Sequence, residues 1–157
     1  PFMKELLRQI LRTLGVTQIL EASDGAEGLE YLKGMNVDIV LLDWHMEPMD
    51  GIAFTKIIRA KDSDNRFLPI IMITAYSEME RVTEARDIGV NELLAKPIAA
   101  THLFSRIRAV IERPRLYVDC DAYFGPDRRR RADPRYRGQD RRAASQNDVA
   151  AARESAA

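Results

Sequence analysis

Three short, largely apolar segments, each closed by a polar residue, limit what this chain can fold into more than any other feature. Ile39-Val40-Leu41-Leu42 ends in Asp43, Ile70-Ile71-Met72-Ile73 ends in Thr74-Ala75, and Glu92-Leu93-Leu94-Ala95 ends in Lys96-Pro97. Continuous apolar runs of this length suit strands buried on both faces, the environment of a parallel sheet. Between the runs the spacing becomes helical. Met3, Leu6, Leu7, Ile10, Leu11 and Leu14 form one stripe that Gly15 stops, and Asp24-Gly25 opens a helix bearing Ala26, Leu29 and Leu32 that Gly34 ends. Ile52, Phe54, Ile57 and Ile58 mark a third helix. Met79, Val82, Ala85 and Arg86 mark a weaker fourth that Gly89 closes, and Leu103, Ile107, Val110 and Ile111 mark the last. A further short strand is expected at Gln18–Ala22.

Strands alternating with helices of this length imply a parallel sheet with right-handed crossovers and helices on both faces. Ligands of such open sheets bind beyond the carboxyl ends of the strands, so Asp43, Thr74 and Lys96 belong to one mouth. Asp43 is the candidate nucleophile, because a carboxylate is ionised at neutral pH without a general base. Each residue alone has a plainer reading: a strand-end Asp caps a turn, a Thr follows β-propensity, and a Lys before Pro is a solvated loop charge. The ordered triplet at three strand tips points to chemistry.

With the turn Pro48-Met49-Asp50-Gly51 behind Asp43, Thr74-Ala75, and Lys96-Pro97, residues 1 to about 112 resemble the receiver domain of two-component response regulators, most closely the single-domain, chemotaxis-type members. The resemblance implies a flavodoxin-like, doubly wound α/β fold in three layers, with strand order 2-1-3-4-5. It also calls for a central first strand ending in two adjacent acidic residues, and neither is in this sequence, which opens on a helix. The expectation is an N-terminally truncated receiver whose acidic pair lies just before Pro1; a receiver that fills the slot by swapping or dimerising is the alternative.

The resemblance further implies that Asp43 accepts a phosphoryl group from a sensor histidine kinase or a phosphotransfer partner, changing affinity for a downstream protein target. No enzyme activity is expected beyond slow autodephosphorylation. Mg²⁺, which prefers octahedral oxygen ligands, would be held by Asp43, the backbone carbonyl of His45 and the upstream acidic pair. Lys96 suits a phosphate oxygen as a point charge, Thr74 supplies a hydroxyl, and Ala75 leaves the site open. Two departures bear on the output. Glu47 precedes the loop proline like an insertion, and the usually aromatic position three before Lys96 is Leu93, so the Thr74 movement would be read through aliphatic packing or through Tyr76. Trp44 is expected as a surface aromatic and a fluorescence reporter.

Composition agrees with one domain followed by a tail. The 157 residues carry no net charge, but from Arg113 onward 11 arginines face 7 acidic groups, leaving residues 1–112 acidic. One cysteine, Cys120, excludes an internal disulfide, no apolar stretch reaches the ~18 residues of a membrane span, and the cytoplasm is the expected compartment. Residues 113–157 are expected as an Arg-rich, disordered tail with little to bury. Its functional reading is a polyanion contact through Arg128, Arg129, Arg130 and Arg131, aided by Tyr123, Phe124 and Tyr136. It lacks the periodicity of a helix-turn-helix, so no DNA-binding domain is expected. The alternative function for the whole chain is a phosphorylation-independent interaction module acting through this arm.

Overall fold

Ile70–Thr74 is buried along its whole length, and the rest of the chain is arranged around it. The computed structural model describes residues 2–75 and 82–128. Ile70–Thr74 (β2) pairs in parallel with Val40–Asp43 (β1) on one side and with Glu92–Ala95 (β3) on the other. Its side chains alternate between two cores. Ile70 and Met72 join Leu42, Trp44, Phe54 and Ile58, whereas Ile71 and Ile73 join Leu94 and Leu103. This period of two, with both faces covered, explains why the run reads as unbroken hydrophobicity.

The helices divide between the same two faces. Gly25–Gly34 (α2), Gly51–Arg59 (α3) and Val82–Asp87 (α4) contribute Leu32, Ile52, Phe54, Ile58 and Ala85 to the first core. Phe2–Thr13 (α1) and Ala100–Glu112 (α5) cover the second with Met3, Leu7, Ile10, Leu11, Leu103, Ile107 and Val110. The chain is therefore the expected three-layer, flavodoxin-like α/β fold. Local chemistry sets the helix ends. Gly15, at φ 86°, turns the chain out of α1. Asp24 caps α2 by accepting from the amides of Ala26 and Glu27, and Asp50 caps α3 by accepting from Ala53.

The strand expected at Gln18–Ala22 does not form; residues 16–22 carry no ladder. Among the described residues no strand lies alongside this segment for its backbone to pair with.

The tail expected from Arg113 onward is folded in part. Tyr117–Cys120 (β4) and Tyr123–Pro126 (β5) form an antiparallel hairpin, and the amide of Asp127 donates to Leu116 O at 2.7 Å to extend it. The apolar residues of this stretch have somewhere to go. Tyr117 and Phe124 pack edge-on to Phe67, and the Arg66 guanidinium lies 3.6 Å from the Phe124 ring centroid. Arg59, buried at the end of α3, donates to Gly89 O, Arg66 O and Asn91 Oδ1. Burial pushes its pKa down, and the neighbouring Tyr117 and Tyr123 oppose that shift. Glu92, buried at the start of β3, pairs with Arg106 of α5 and with Arg115, which leads into the hairpin. Residues 129–157 lie outside the described part of the chain.

Candidate functional site

The mouth of the sheet is built from the last residues of the three strands. In the β1–β2 register Asp43 stands opposite Ile73, so Thr74 reaches one residue further, and Thr74 in turn pairs with Ala95, the residue before Lys96. Two backbone bonds extend the ladders past the strand ends: Trp44 N donates to Ile73 O at 2.9 Å, and Lys96 N donates to Thr74 O at 2.8 Å. The triplet predicted from sequence is thus brought together at one edge.

Lys96 spans the gap. Its Nζ lies 3.1 Å from Asp43 Oδ1 and 2.8 Å from Asp43 Oδ2, and both side chains remain partly exposed. A cation on both oxygens fixes the direction in which the carboxylate points. The amide of His45 lies 3.3 Å from Asp43 Oδ1, a long contact that continues the turn. The His45 side chain is exposed. Thr74 is 1% exposed and its Oγ1 donates to Ala75 O at 3.3 Å. Leu93, three residues before Lys96, packs against the core of Leu42, Trp44 and Met72. Tyr76 lies outside the described residues.

Trp44 overturns its expected place on the surface. It is 2% exposed and sits in the core with Leu42, Ile52 and Phe54, because the chain turns inward directly after β1. Its carbonyl accepts from Gly51 N at 3.0 Å. Gly51, read from sequence only as part of a turn, proves to be a constraint on the site. A Cβ there would lie 2.6 Å from Asp43 O and 3.2 Å from Met72 Cε, so the start of α3 is pressed against the backbone of the candidate nucleophile. An Asp-Gly pair is too common a turn signal to have shown this.

The donor set for a divalent cation is incomplete within the described residues. No three His, Cys, Asp or Glu side chains converge there. The Asp43 carboxylate and the His45 carbonyl, the two ligands expected from sequence, would supply two of the roughly six oxygens an octahedral ion needs. Of the arginines expected to contact a polyanion, Arg128 is described. It pairs with Asp87 Oδ1 at 2.9 Å and stacks 4.1 Å from the Tyr123 ring centroid, so its charge is engaged within the fold. Arg129, Arg130, Arg131 and Tyr136 lie outside the described residues. Among the described residues no helix is long and apolar enough to cross a membrane.

Comparison with known proteins agrees with this geometry. Residues 1–108 match the sequence model of the response regulator receiver domain. Chemotaxis protein CheY-3 of Vibrio cholerae is 39% identical over 111 residues, which cover 71% of this chain and 85% of that protein. Chemotaxis protein CheY of Pseudomonas aeruginosa is 36% identical over 111 residues, covering 89% of its length. Among solved structures, a putative response regulator from Chloroflexus aurantiacus superposes with a TM-score of 0.63 at 28% identity, over 70% of this chain and 88% of that one. The receiver domain of sensor histidine kinase PA1611 from Pseudomonas aeruginosa, solved with a magnesium ion coordinated in its active site cleft, gives a TM-score of 0.63 at 27% identity, over 71% and 90%.

Proposed function

This chain belongs to the response regulator receiver family, and from that premise we propose that Asp43 is its phosphoacceptor, charged by a sensor histidine kinase or phosphotransfer protein and read out by a downstream protein. The observation that carries the reading is the Lys96 ammonium on both oxygens of Asp43. Phosphoryl transfer asks for a positioned nucleophile and positive charge on the transferred oxygens, and little else from the protein. An Asp43 oxygen attacks phosphorus, the bond to the donor breaks, and its electron pair leaves with the donor, giving an acyl phosphate. Lys96 then exchanges its carboxylate contact for a phosphoryl oxygen. Thr74, one residue beyond Asp43's partner on the adjoining strand, offers its hydroxyl to another.

A divalent ion, Mg²⁺ by the chemistry of the donors, would supply further positive charge to those oxygens. Asp43 and the His45 carbonyl are the residues of this chain that would hold it. The chain's own chemistry is receipt of the group and its slow loss to water, not turnover of a substrate. Leu93 and the α4–β3 face transmit the change through aliphatic packing, since phosphorylation shifts a two-state equilibrium only through contacts that differ between the states.

The test is labelling of the full chain with acetyl phosphate and Mg²⁺, read as a single phosphoryl mass increment located on Asp43. Asp43→Asn should take none. Label on a histidine or serine, or undiminished label on Asp43→Asn, would overturn the reading.

A further inference from the structure

The matched family sequence ends at residue 108, so the β4–β5 hairpin is an addition to the domain, and it is placed at one corner. There it meets the turn that follows α4. Gly89, at φ 95°, approaches the hairpin so closely that a Cβ on it would lie 2.9 Å from Phe124 O. A Cβ on Gly125 would lie 2.7 Å from the Gly89 Cα. Two glycines facing one another let backbone touch backbone where no other residue pair fits. Around this contact, Arg128 bridges to Asp87 at 2.9 Å, the Arg86 guanidinium lies 3.4 Å from Arg128 O, and Arg59 ties Gly89 O to the same cluster. Tyr123 stiffens the arrangement by donating to Pro126 O at 2.7 Å and by stacking under Arg128. The opposite end of α4 is joined by residues 76–81 to Thr74 and Ala75, at the mouth of the sheet.

We propose that the hairpin is a clamp on the C-terminal end of α4, holding it in the unphosphorylated arrangement and thereby setting how readily Asp43 accepts a phosphoryl group. The inference rests on the phosphoacceptor reading above. A contact present in one state of a two-state element opposes the other state by its own differential energy, and the coupling is reciprocal. Gly89 is the pivot, fixed by Gly125 and Arg59. The hairpin contacts named above all fall at Arg86, Asp87 and Gly89, and the clamp leaves the coupling toward Thr74 to the N-terminal end of α4. The Asp87–Arg128 pair, exposed and therefore screened by salt, is the adjustable part of the clamp.

The experiment uses the full chain with Arg128→Ala, Asp87→Ala and Gly125→Ala. Amide hydrogen exchange of the unphosphorylated protein is followed at residues 82–90 and at Thr74 and Ala75, and labelling of Asp43 by acetyl phosphate is timed. The two surface variants should raise exchange at 82–90 about twofold, in keeping with one exposed ion pair, and speed labelling by a similar factor. Added salt should reproduce the effect in the wild type and not in the variants. Gly125→Ala, which drives a methyl group into Gly89, should raise exchange about tenfold or more. In every variant, exchange at Thr74 and Ala75 should rise with that at 82–90. Faster exchange at 82–90 with no change at Thr74, at Ala75 or in the labelling rate would make the hairpin a passive cap and overturn the proposal. Unchanged exchange in the surface variants would overturn it equally, even if Gly125→Ala fails to fold. A wild type that takes no label on Asp43 would defeat the phosphoacceptor reading instead, while the exchange at Thr74 and Ala75 would still decide whether the two ends of α4 are coupled.

Discussion

Lys96 grips both carboxylate oxygens of Asp43 across the tip of the strand that separates them, at 3.1 and 2.8 Å. The cation suited to a phosphoryl oxygen therefore spends the resting state on the nucleophile, neutralising it and fixing its direction. Removing either partner should separate chemistry from stability. Asp43→Asn should abolish labelling by acetyl phosphate, while Lys96→Ala should slow it about a hundredfold, the low end of what loss of one preorganised donor costs. Both should change unfolding free energy by less than about 1 kcal/mol, because the pair is partly solvated. Chemical denaturation alongside mass-spectrometric labelling checks both halves.

Trp44 is the single tryptophan of the chain and lies in the core beside the site. Its emission should be blue-shifted and resistant to iodide quenching in the folded protein, becoming red-shifted and quenchable on unfolding. Trp44→Ala should cost about 3–5 kcal/mol, the usual penalty for emptying a large aromatic site. Ready iodide quenching of the native protein would contradict the burial.

Asn91 joins three parts of the structure through one side chain. Its Oδ1 accepts from Ile70 N at 2.9 Å and from Arg59 Nη2 at 3.0 Å, and its Nδ2 lies 3.3 Å from the Tyr117 hydroxyl. Asn91→Ala strips acceptors from a buried amide and a buried guanidinium. It should cost about 2–3 kcal/mol, the upper part of the range for an unsatisfied buried polar group, measured as a lower urea midpoint. Asn91→Asp, which keeps an acceptor and adds a charge facing Arg59, should recover part of that loss.

Glu27 gives the fold an acid-sensitive element. Hydrogen bonds from the Ser23 hydroxyl and amide, and then from Tyr31, lower its pKa from 4.5 to about 2. A carboxylate whose folded pKa lies below its unfolded one stabilises the fold above the unfolded value, and the contribution disappears as the pH falls through the folded one. The difference in unfolding midpoint between wild type and Glu27→Gln should be constant above pH about 4.5, shrink below it and vanish near pH 2. A difference independent of pH over that window would show that the charge is not responsible.

The sequence by itself determined the parallel sheet, its two covered faces and the site triplet. Ile70-Ile71-Met72-Ile73 can satisfy its side chains only between two layers, and the polar residue ending each run necessarily emerges at the same edge of parallel strands. The strand at Gln18–Ala22 failed for the same reason the others succeeded, since pairing is not local: a suitable segment becomes a strand only when a neighbour lies alongside. What only the tertiary structure decided were distances between parts remote in sequence. Trp44 is polar at one end and aromatic at the other, so its burial depended on which way the chain turned after Asp43. Leu116-Tyr117-Val118 and Tyr123-Phe124 are too short and too widely interrupted to announce a core, and they fold because Arg59, Arg66 and Phe67 present a surface that fits them. The meeting of Gly89 with Gly125 lies beyond sequence reading altogether. A glycine signals freedom of its own backbone, and only packing reveals which other backbone uses the room.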